Sequence, residues 1–156
     1  MSGPTPRPGI MDIAAYVGGV HEAPGFDRAI VLSANENPLG PSPKAVAAVR
    51  AAAKSMHRYP DGGATALRAA IARRFELDAE RIVCGAGSDE LISLLIRAYA
   101  GPGDEVLHSE HGFLMYAISA RAAGAEPVAA PERNITADVD ALLAHVSERT
   151  RLLFLA

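Results

Sequence analysis

The stretch Arg81-Ile82-Val83-Cys84-Gly85-Ala86-Gly87-Ser88-Asp89-Glu90-Leu91-Ile92 carries the reading of the fold. Arg81 to Cys84 reads as a short strand, and Ser88 to Ala100 continues with helical spacing. Between them, Gly85 and Gly87 let the backbone turn tightly and approach a ligand without a Cβ in the way. The first-turn N–H groups of the helix then face outward without intrahelical partners, at the positive end of the helix dipole. Ser88 adds a hydroxyl, so Gly87, Ser88 and Asp89 form a candidate phosphate seat. The same residues also suit a strand-to-helix turn with Ser88 as N-cap and no ligand, and glycine spacing alone leaves both readings open. A dinucleotide-binding turn fits less well, because Gly85-Ala86-Gly87 lacks the third glycine and a well-placed acidic residue downstream.

Outward from this turn the pattern is regular. Pro102-Gly103-Asp104 is a turn, and Glu105 to Ser109 is the next strand. Phe113 to Ala123 reads as a helix, Pro127 to Ala130 as a strand, Val139 to Val146 as a helix and Arg151 to Leu155 as a strand. Strands separated by helices of this length need crossover connections, which implies an α/β fold with a mostly parallel sheet and flanking helices. Upstream, Thr65 to Phe75 and Lys44 to Lys54 have helical character. Ser42 is the candidate N-cap of the latter, with Pro43 in its first turn. Before Pro43 the chain is rich in Pro and Gly and reads as an extended arm, with a short candidate strand at Ala29 to Ser33. The expected organisation is an arm and entrance loop over residues 1–43 and the first part of a larger domain over 44–156.

Composition narrows the function. The 156 residues are 49% hydrophobic and 21% charged, ordinary values for a globular chain. The net charge of -3, with no basic run longer than Arg73-Arg74, argues against nucleic acid as a partner. Cys84 is the sole cysteine, so a disulfide framework is excluded and a reducing cytoplasm is the expected setting. Cys84 reads as a buried, inert thiol, and Arg73 and Arg74 as a solvated helix face. The most apolar run, Leu91 to Ala100, is interrupted by Arg97 and is too short to span a bilayer, so no membrane role is expected. His108 and His111 read as loop residues. With no accompanying ligand set they do not make a metal site.

Two further stretches carry chemistry. Ser33-Ala34-Asn35-Glu36-Asn37-Pro38-Leu39-Gly40-Pro41-Ser42-Pro43 is a stiff, non-repetitive path with hydrogen-bonding side chains. Arg58-Tyr59-Pro60-Asp61 places a tyrosine beside a turn. Each alone is equally a linker or half-buried structure. In register with Gly87-Ser88-Asp89-Glu90 and Pro102-Gly103-Asp104-Glu105-Val106, they resemble the N-terminal half of class I/II aminotransferases, which depend on pyridoxal 5'-phosphate. The segment Ser109-Glu110-His111-Gly112-Phe113-Leu114-Met115-Tyr116 is most similar to the histidinol-phosphate branch of that family.

The resemblance implies a fold type I transferase whose large domain is incomplete within this chain. It implies that Gly87, Ser88 and Asp89 bind the cofactor phosphate and that Phe113, often tyrosine in relatives, stacks on the pyridine ring. Tyr59 matches a tyrosine that reaches the cofactor phosphate of a partner subunit, which implies a homodimer. Tyr16 matches the tyrosine of the arm that covers the substrate, although Val17-Gly18-Gly19-Val20 departs from the usual residues after it. Asn35 and Asn37 match the loop at the site entrance. The implied substrates are a small-molecule amino donor, foremost histidinol phosphate, and a 2-oxo acid, 2-oxoglutarate. A decarboxylase acting on an amino-acid phosphate, an aromatic aminotransferase and a non-catalytic phosphate-binding fragment remain alternatives.

Catalysis with this cofactor needs a Schiff-base lysine and a carboxylate on the pyridine nitrogen. The only lysines are Lys44 and Lys54, at the two ends of one helix, and neither matches the family's lysine. No residue here is therefore assigned a catalytic role, and the chain alone is expected to be inactive. Leu152-Leu153-Phe154-Leu155 is strand-like, and a buried parallel strand normally leads into a ligand-binding loop. The chain is thus expected to belong to a longer protein, and alone to self-associate through an exposed apolar edge.

Overall fold

The computed structural model describes residues 3–18, 24–27, 30–32 and 34–156. The chain divides into two compact units, one of Met1–Tyr16 with Cys84–Ala156 and one of Val17–Val83.

The first unit is an α/β layer structure around a three-stranded parallel sheet. Its strands are β1 (Glu105–Ser109), β2 (Glu126–Ala130) and β3 (Thr150–Phe154), in the order β2-β1-β3. Glu105 pairs with Glu126 and Ser109 with Ala130, so β1 and β2 are in register along their full length. Against β3 the register slips by one residue between Glu105 and Val106. Strand β1 is buried at all five positions, as a central strand covered on both faces must be. The face carrying Val106 packs with Ile92 and Ile96 of α3 (Gly87–Tyr99) and with Tyr116 and Ala120 of α4 (Met115–Ala123). The opposite face carries Leu107, which packs with Ala130 and with Leu142 of α5 (Val139–Ala144).

Helix α3 ends where Gly101–Asp104 turns directly into the amino end of β1, with Asp104 N–H donating to Gly101 O and Gly101 N–H to the Asp104 carboxylate, both at 3.0 Å. A helix of 13 residues rises about 20 Å and a five-residue strand about 17 Å. The amino end of α3 is therefore carried back along the sheet face to the carboxyl ends of the strands.

The second unit contains α1 (Pro43–Ala52) and α2 (Thr65–Phe75), each followed by a short 3-10 turn, at Ala53–Ser55 and Ala79–Arg81. None of its described residues is buried. What ties α2 to the second turn is polar: the Arg68 guanidinium donates to Ala79 O at 2.7 and 3.0 Å and lies 3.3 Å from Glu80.

Three expectations need correction. The strand at Arg81 to Cys84 is absent. Ala79–Arg81 is a 3-10 turn, and Ile82 continues in extended conformation (φ -106°, ψ 125°) without a ladder partner among the described residues. An apolar β-branched run has the dihedrals of a strand, but only a neighbour makes it one. The helix expected from Phe113 starts at Met115, with Phe113 in the preceding loop. His108 is not a loop residue but a buried position of β1 whose Nδ1 lies 2.8 Å from Ser109 O. The candidate strand at 29–33 falls partly outside the described residues, and 30–32 form none. No described helix is long and apolar enough to cross a membrane.

The start of α2 depends on Asp61, whose carboxylate accepts from Thr65 N–H at 2.8 Å and Gly63 N–H at 3.0 Å. The Thr65 backbone bond is the main cause that holds its pKa below the ordinary 3.8, with the Thr65 hydroxyl and Gly63 N–H adding to it. A depressed carboxylate pKa means that the cap is intact above the ordinary value and is lost as pH falls through the lower folded one. Asp61→Asn should therefore lower the protection of the Thr65 amide, its exchange relative to the intrinsic rate, at neutral pH, and acidification below about pH 4 should lower that protection in the parent protein. Equal Thr65 exchange in both proteins across that range would mean that Asp61 does not cap α2.

Candidate functional site

The amino terminus of α3 is built by two glycines with different jobs. Gly87 has φ +81°, a left-handed conformation that disfavours any side chain, and open space where its Cβ would be. Gly85 leaves room for its neighbours instead: a Cβ there would lie 2.9 Å from Glu90 Oε2 and 3.1 Å from Leu91 Cδ2, so those side chains would have to shift. Glu90 is held in that place by the Ala86 N–H, which donates to its Oε2 at 2.6 Å. This carboxylate reaches back to the start of its own helix as in a capping box. Ala86, not Ser88, is the N-cap residue, and no side chain caps the helix from that position. The first-turn N–H groups of Gly87, Ser88 and Asp89 thus receive no side-chain cap from Ala86, and all three residues are exposed.

Phe113 follows the carboxyl end of β1. Its ring meets Tyr116 edge-on at 6.0 Å and 88°, and Tyr116 stacks on Phe154 of β3 at 4.6 Å and 9°. Tyr116 is buried, so this aromatic pair fixes one side of the Phe113 ring, which itself remains 37% exposed. The turn before it is tight. Gly112 N–H donates to Ser109 O at 2.9 Å, and a Cβ on Gly112 would come within 2.9 Å of that same oxygen.

A residue that the sequence did not single out holds this loop. Glu132 Oε1 accepts the His111 backbone N–H at 3.0 Å, and its Oε2 lies 3.0 Å from His111 Nδ1. The Glu132 side chain is only 7% exposed. The His111 backbone bond is the main cause that lowers its pKa, the His111 ring and the Ser109 hydroxyl add to the effect, and partial burial opposes it. Glu132 and the loop line an open cleft of about 400 Å³ with Ser109, Gly112, Phe113 and Ile135. Twenty-one residues separate Glu132 from His111, and no local pattern marks such a pair. Among the described residues no His, Cys, Asp and Glu cluster could hold a metal ion.

Of the other sequence candidates, Tyr16 belongs to the first unit and is 55% exposed. Asn35, Asn37 and Tyr59 belong to the second unit. Asn35 has φ 53°, and Asn37 Oδ1 accepts from Leu39 N–H at 3.0 Å, which closes a local turn. Tyr59 is fully exposed. Lys44 and Lys54 are exposed in and just after α1, and Cys84 is half-buried.

The amino terminus of α3 and Phe113 both lie toward the carboxyl ends of the strands of a parallel sheet, the end at which α/β proteins bind ligands. The family model for aminotransferase class I and II matches residues 27–156. The chain belongs to the class I and II aminotransferases. It is 65% identical over 156 residues to histidinol-phosphate aminotransferase of Rhodospirillum centenum, covering 100% of this chain and 43% of that protein. For the enzyme of the same name in Paramagnetospirillum magneticum the identity is 67%, with the same coverage. Among solved structures, histidinol-phosphate aminotransferase from Sinorhizobium meliloti in complex with pyridoxal-5'-phosphate matches with a TM-score of 0.71 and 29% identity, over 74% of this chain and 32% of that one. The chain thus spans 43% of the length of these two sequence relatives.

The glycine geometry sets a prediction that needs no ligand. Gly87→Ala should cost about 1–2 kcal/mol of stability in a denaturant titration through left-handed strain. Gly85→Ala should instead release the Ala86 amide to faster hydrogen exchange by displacing Glu90. If both substitutions are neutral in both measurements, the turn differs from the one described.

Proposed function

We propose that this chain is the N-terminal portion of a pyridoxal-phosphate-dependent histidinol-phosphate aminotransferase. It would contribute the arm and entrance loop over residues 1–43 and the first part of the cofactor-binding domain over 44–156. The observation that carries this reading is identity of 65% and 67% across all 156 residues to enzymes of that name.

The residues present fit the cofactor. Gly87 holds a left-handed turn that a side chain would strain, and the α3 terminus behind it offers backbone donors to a dianionic phosphate. Ser88 adds a hydroxyl donor to the same oxygens, and Asp89 supplies the third backbone amide. The partly exposed ring of Phe113 offers an apolar face to a heteroaromatic ring. When bound, pyridoxal phosphate supplies the electron sink that makes amino-group transfer possible. Phe113 orients that ring and keeps water from one side of it, and Gly87–Asp89 anchor it by the phosphate. Tyr59, fully exposed in its own unit, is the residue we assign to the cofactor phosphate of a partner subunit in a homodimer. Tyr16, Asn35 and Asn37 are assigned to the substrate entrance.

The test uses the full-length protein with histidinol phosphate and 2-oxoglutarate. Glutamate should form in step with loss of histidinol phosphate. Carbon dioxide release from an amino-acid phosphate without glutamate would replace this reading with a decarboxylase, and preferential turnover of aromatic amino acids with an aromatic aminotransferase. Ser88→Ala should weaken affinity for pyridoxal phosphate about tenfold, the effect of one hydrogen bond to a charged group. Phosphate anchoring by Ser88 is wrong if affinity is unchanged.

A further inference from the structure

Glu132 reaches His111 from a hairpin that its own sequence does not favour. Arg133 and Thr136 exchange both backbone hydrogen bonds, at 3.0 and 3.1 Å, and Glu132 bridges antiparallel to Ala137. The two residues between, Asn134 and Ile135, have φ of 53° and 56°. Such a two-residue turn selects Asn-Gly, because both central positions are left-handed. Ile135 is β-branched, for which that conformation is an outlier. It is also 82% exposed, so little burial offsets the strain. Strain of this kind persists only where the surroundings over-determine it. Here they include an ion pair between Arg133 and Asp138 at 3.4 Å, with Asp138 itself capping α5 through Asp140 N–H and Ala141 N–H. What the hairpin delivers is one largely buried carboxylate that meets two donors of His111, its backbone N–H and its ring nitrogen.

The grip falls within a short path to the stacking ring. Glu110 N–H donates to Ala130 O at 2.9 Å, which fixes the start of the loop to the end of β2. His111 is fixed by Glu132, Gly112 N–H is fixed to Ser109 O, and Tyr116 N–H donates to Phe113 O at 3.0 Å. Every residue from Glu110 to Phe113 except Phe113's own ring is therefore tied by a named bond. Without Glu132 the His111 N–H loses its acceptor and the path between Glu110 and Gly112 loses its only side-chain anchor among the described residues.

We propose that Glu132 is a positioning residue that holds the Ser109–Phe113 loop so that the Phe113 ring is set at the angle required to stack on the cofactor. The proposal rests on the pyridoxal-phosphate reading above and goes beyond it, because the Glu132 carboxylate bonds His111, not Phe113 or the α3 terminus, and is assigned to act through Phe113. A residue that acts this way should lose its influence once the ring is gone, whereas a residue that merely stabilises the fold should not.

The experiment uses the full-length protein in four forms: parent, Glu132→Gln, Phe113→Leu and the double variant, with Glu132→Ala as a more severe comparison. Hydrogen exchange at the His111 amide reads the clamp, and the dissociation constant for added pyridoxal phosphate reads its consequence. Glu132→Ala should speed His111 exchange at least tenfold, and Glu132→Gln should do so less, because the amide keeps one acceptor oxygen. Glu132→Gln should weaken cofactor affinity about three- to tenfold when Phe113 is present and less than twofold when it is leucine. Equal losses in both backgrounds overturn the positioning role while leaving the cofactor assignment standing. His111 exchange unchanged by Glu132→Ala overturns the clamp itself. A parent protein that binds no pyridoxal phosphate overturns the proposed cofactor and this role together.

Discussion

Val106 and Leu107 leave water on opposite faces of one strand, and each face must be covered by a different element. Because β1 is the middle strand and both its neighbours run parallel to it, hairpins are unavailable and each connection must cross the sheet. The crossovers deliver α4 to one face and α5 to the other, and α3 arrives beside α4 from upstream. Ser93 and Ser119 meet at 3.1 Å across the α3–α4 contact, a small polar pair where larger side chains would hold the helices apart. Burial of the two faces thus fixes where each helix begins and ends relative to the strand ends. That is why the glycine turn before α3 and the loop after β1 share an edge.

The two ends of the sheet have different chemistry. At the amino end the buried Glu105 carboxylate meets Arg149, the Ser147 hydroxyl at 2.6 Å and the Thr150 hydroxyl at 3.4 Å, which closes the crossover into β3. Arg151 and Asp104 add an ion pair at 3.0 Å nearby. These charges satisfy one another. At the carboxyl end, the first-turn amides of α3 and the Phe113 ring face outward. One end of the sheet thus satisfies its charges internally, and the other leaves donors and an aromatic face exposed. At that same end the Glu132 carboxylate braces a loop through His111, and its side chain is only 7% exposed where it lines the cleft.

Much of this was legible in the sequence where local chemistry punctuates the chain. Thr65 to Phe75 matches α2 residue for residue because a Pro-Gly cluster precedes it and charged residues follow. Pro102-Gly103-Asp104 marked the entry to β1, and the family could be read from four short motifs in register. What failed depended on partners far along the chain. Ile82 and Val83 have strand composition, but pairing is a property of two segments. His108 and His111 looked alike in sequence, yet one is fixed inside a central strand and the other hangs from a carboxylate 21 residues away. The hairpin that presents that carboxylate carries isoleucine where turn chemistry predicts glycine, so the local signal points away from the observed structure.

The proposed site residues differ in what holds them. Gly87, Ser88, Asp89 and Phe113 are attached to helices and strands whose inner faces are buried in the first unit's own core. Their geometry is set before any ligand arrives, and binding should cost little ordering there. Tyr59, Asn35 and Asn37 belong to a unit in which no described residue is buried and in which Leu39, Val49 and Met56 are 70% or more exposed. Apolar side chains in that state do not fix their own surroundings. If Tyr59 contacts a phosphate, the contact must be ordered by a surface that its unit does not supply. A role for Tyr59 therefore depends on contacts outside its own unit, while the α3 terminus is held by the core of its own.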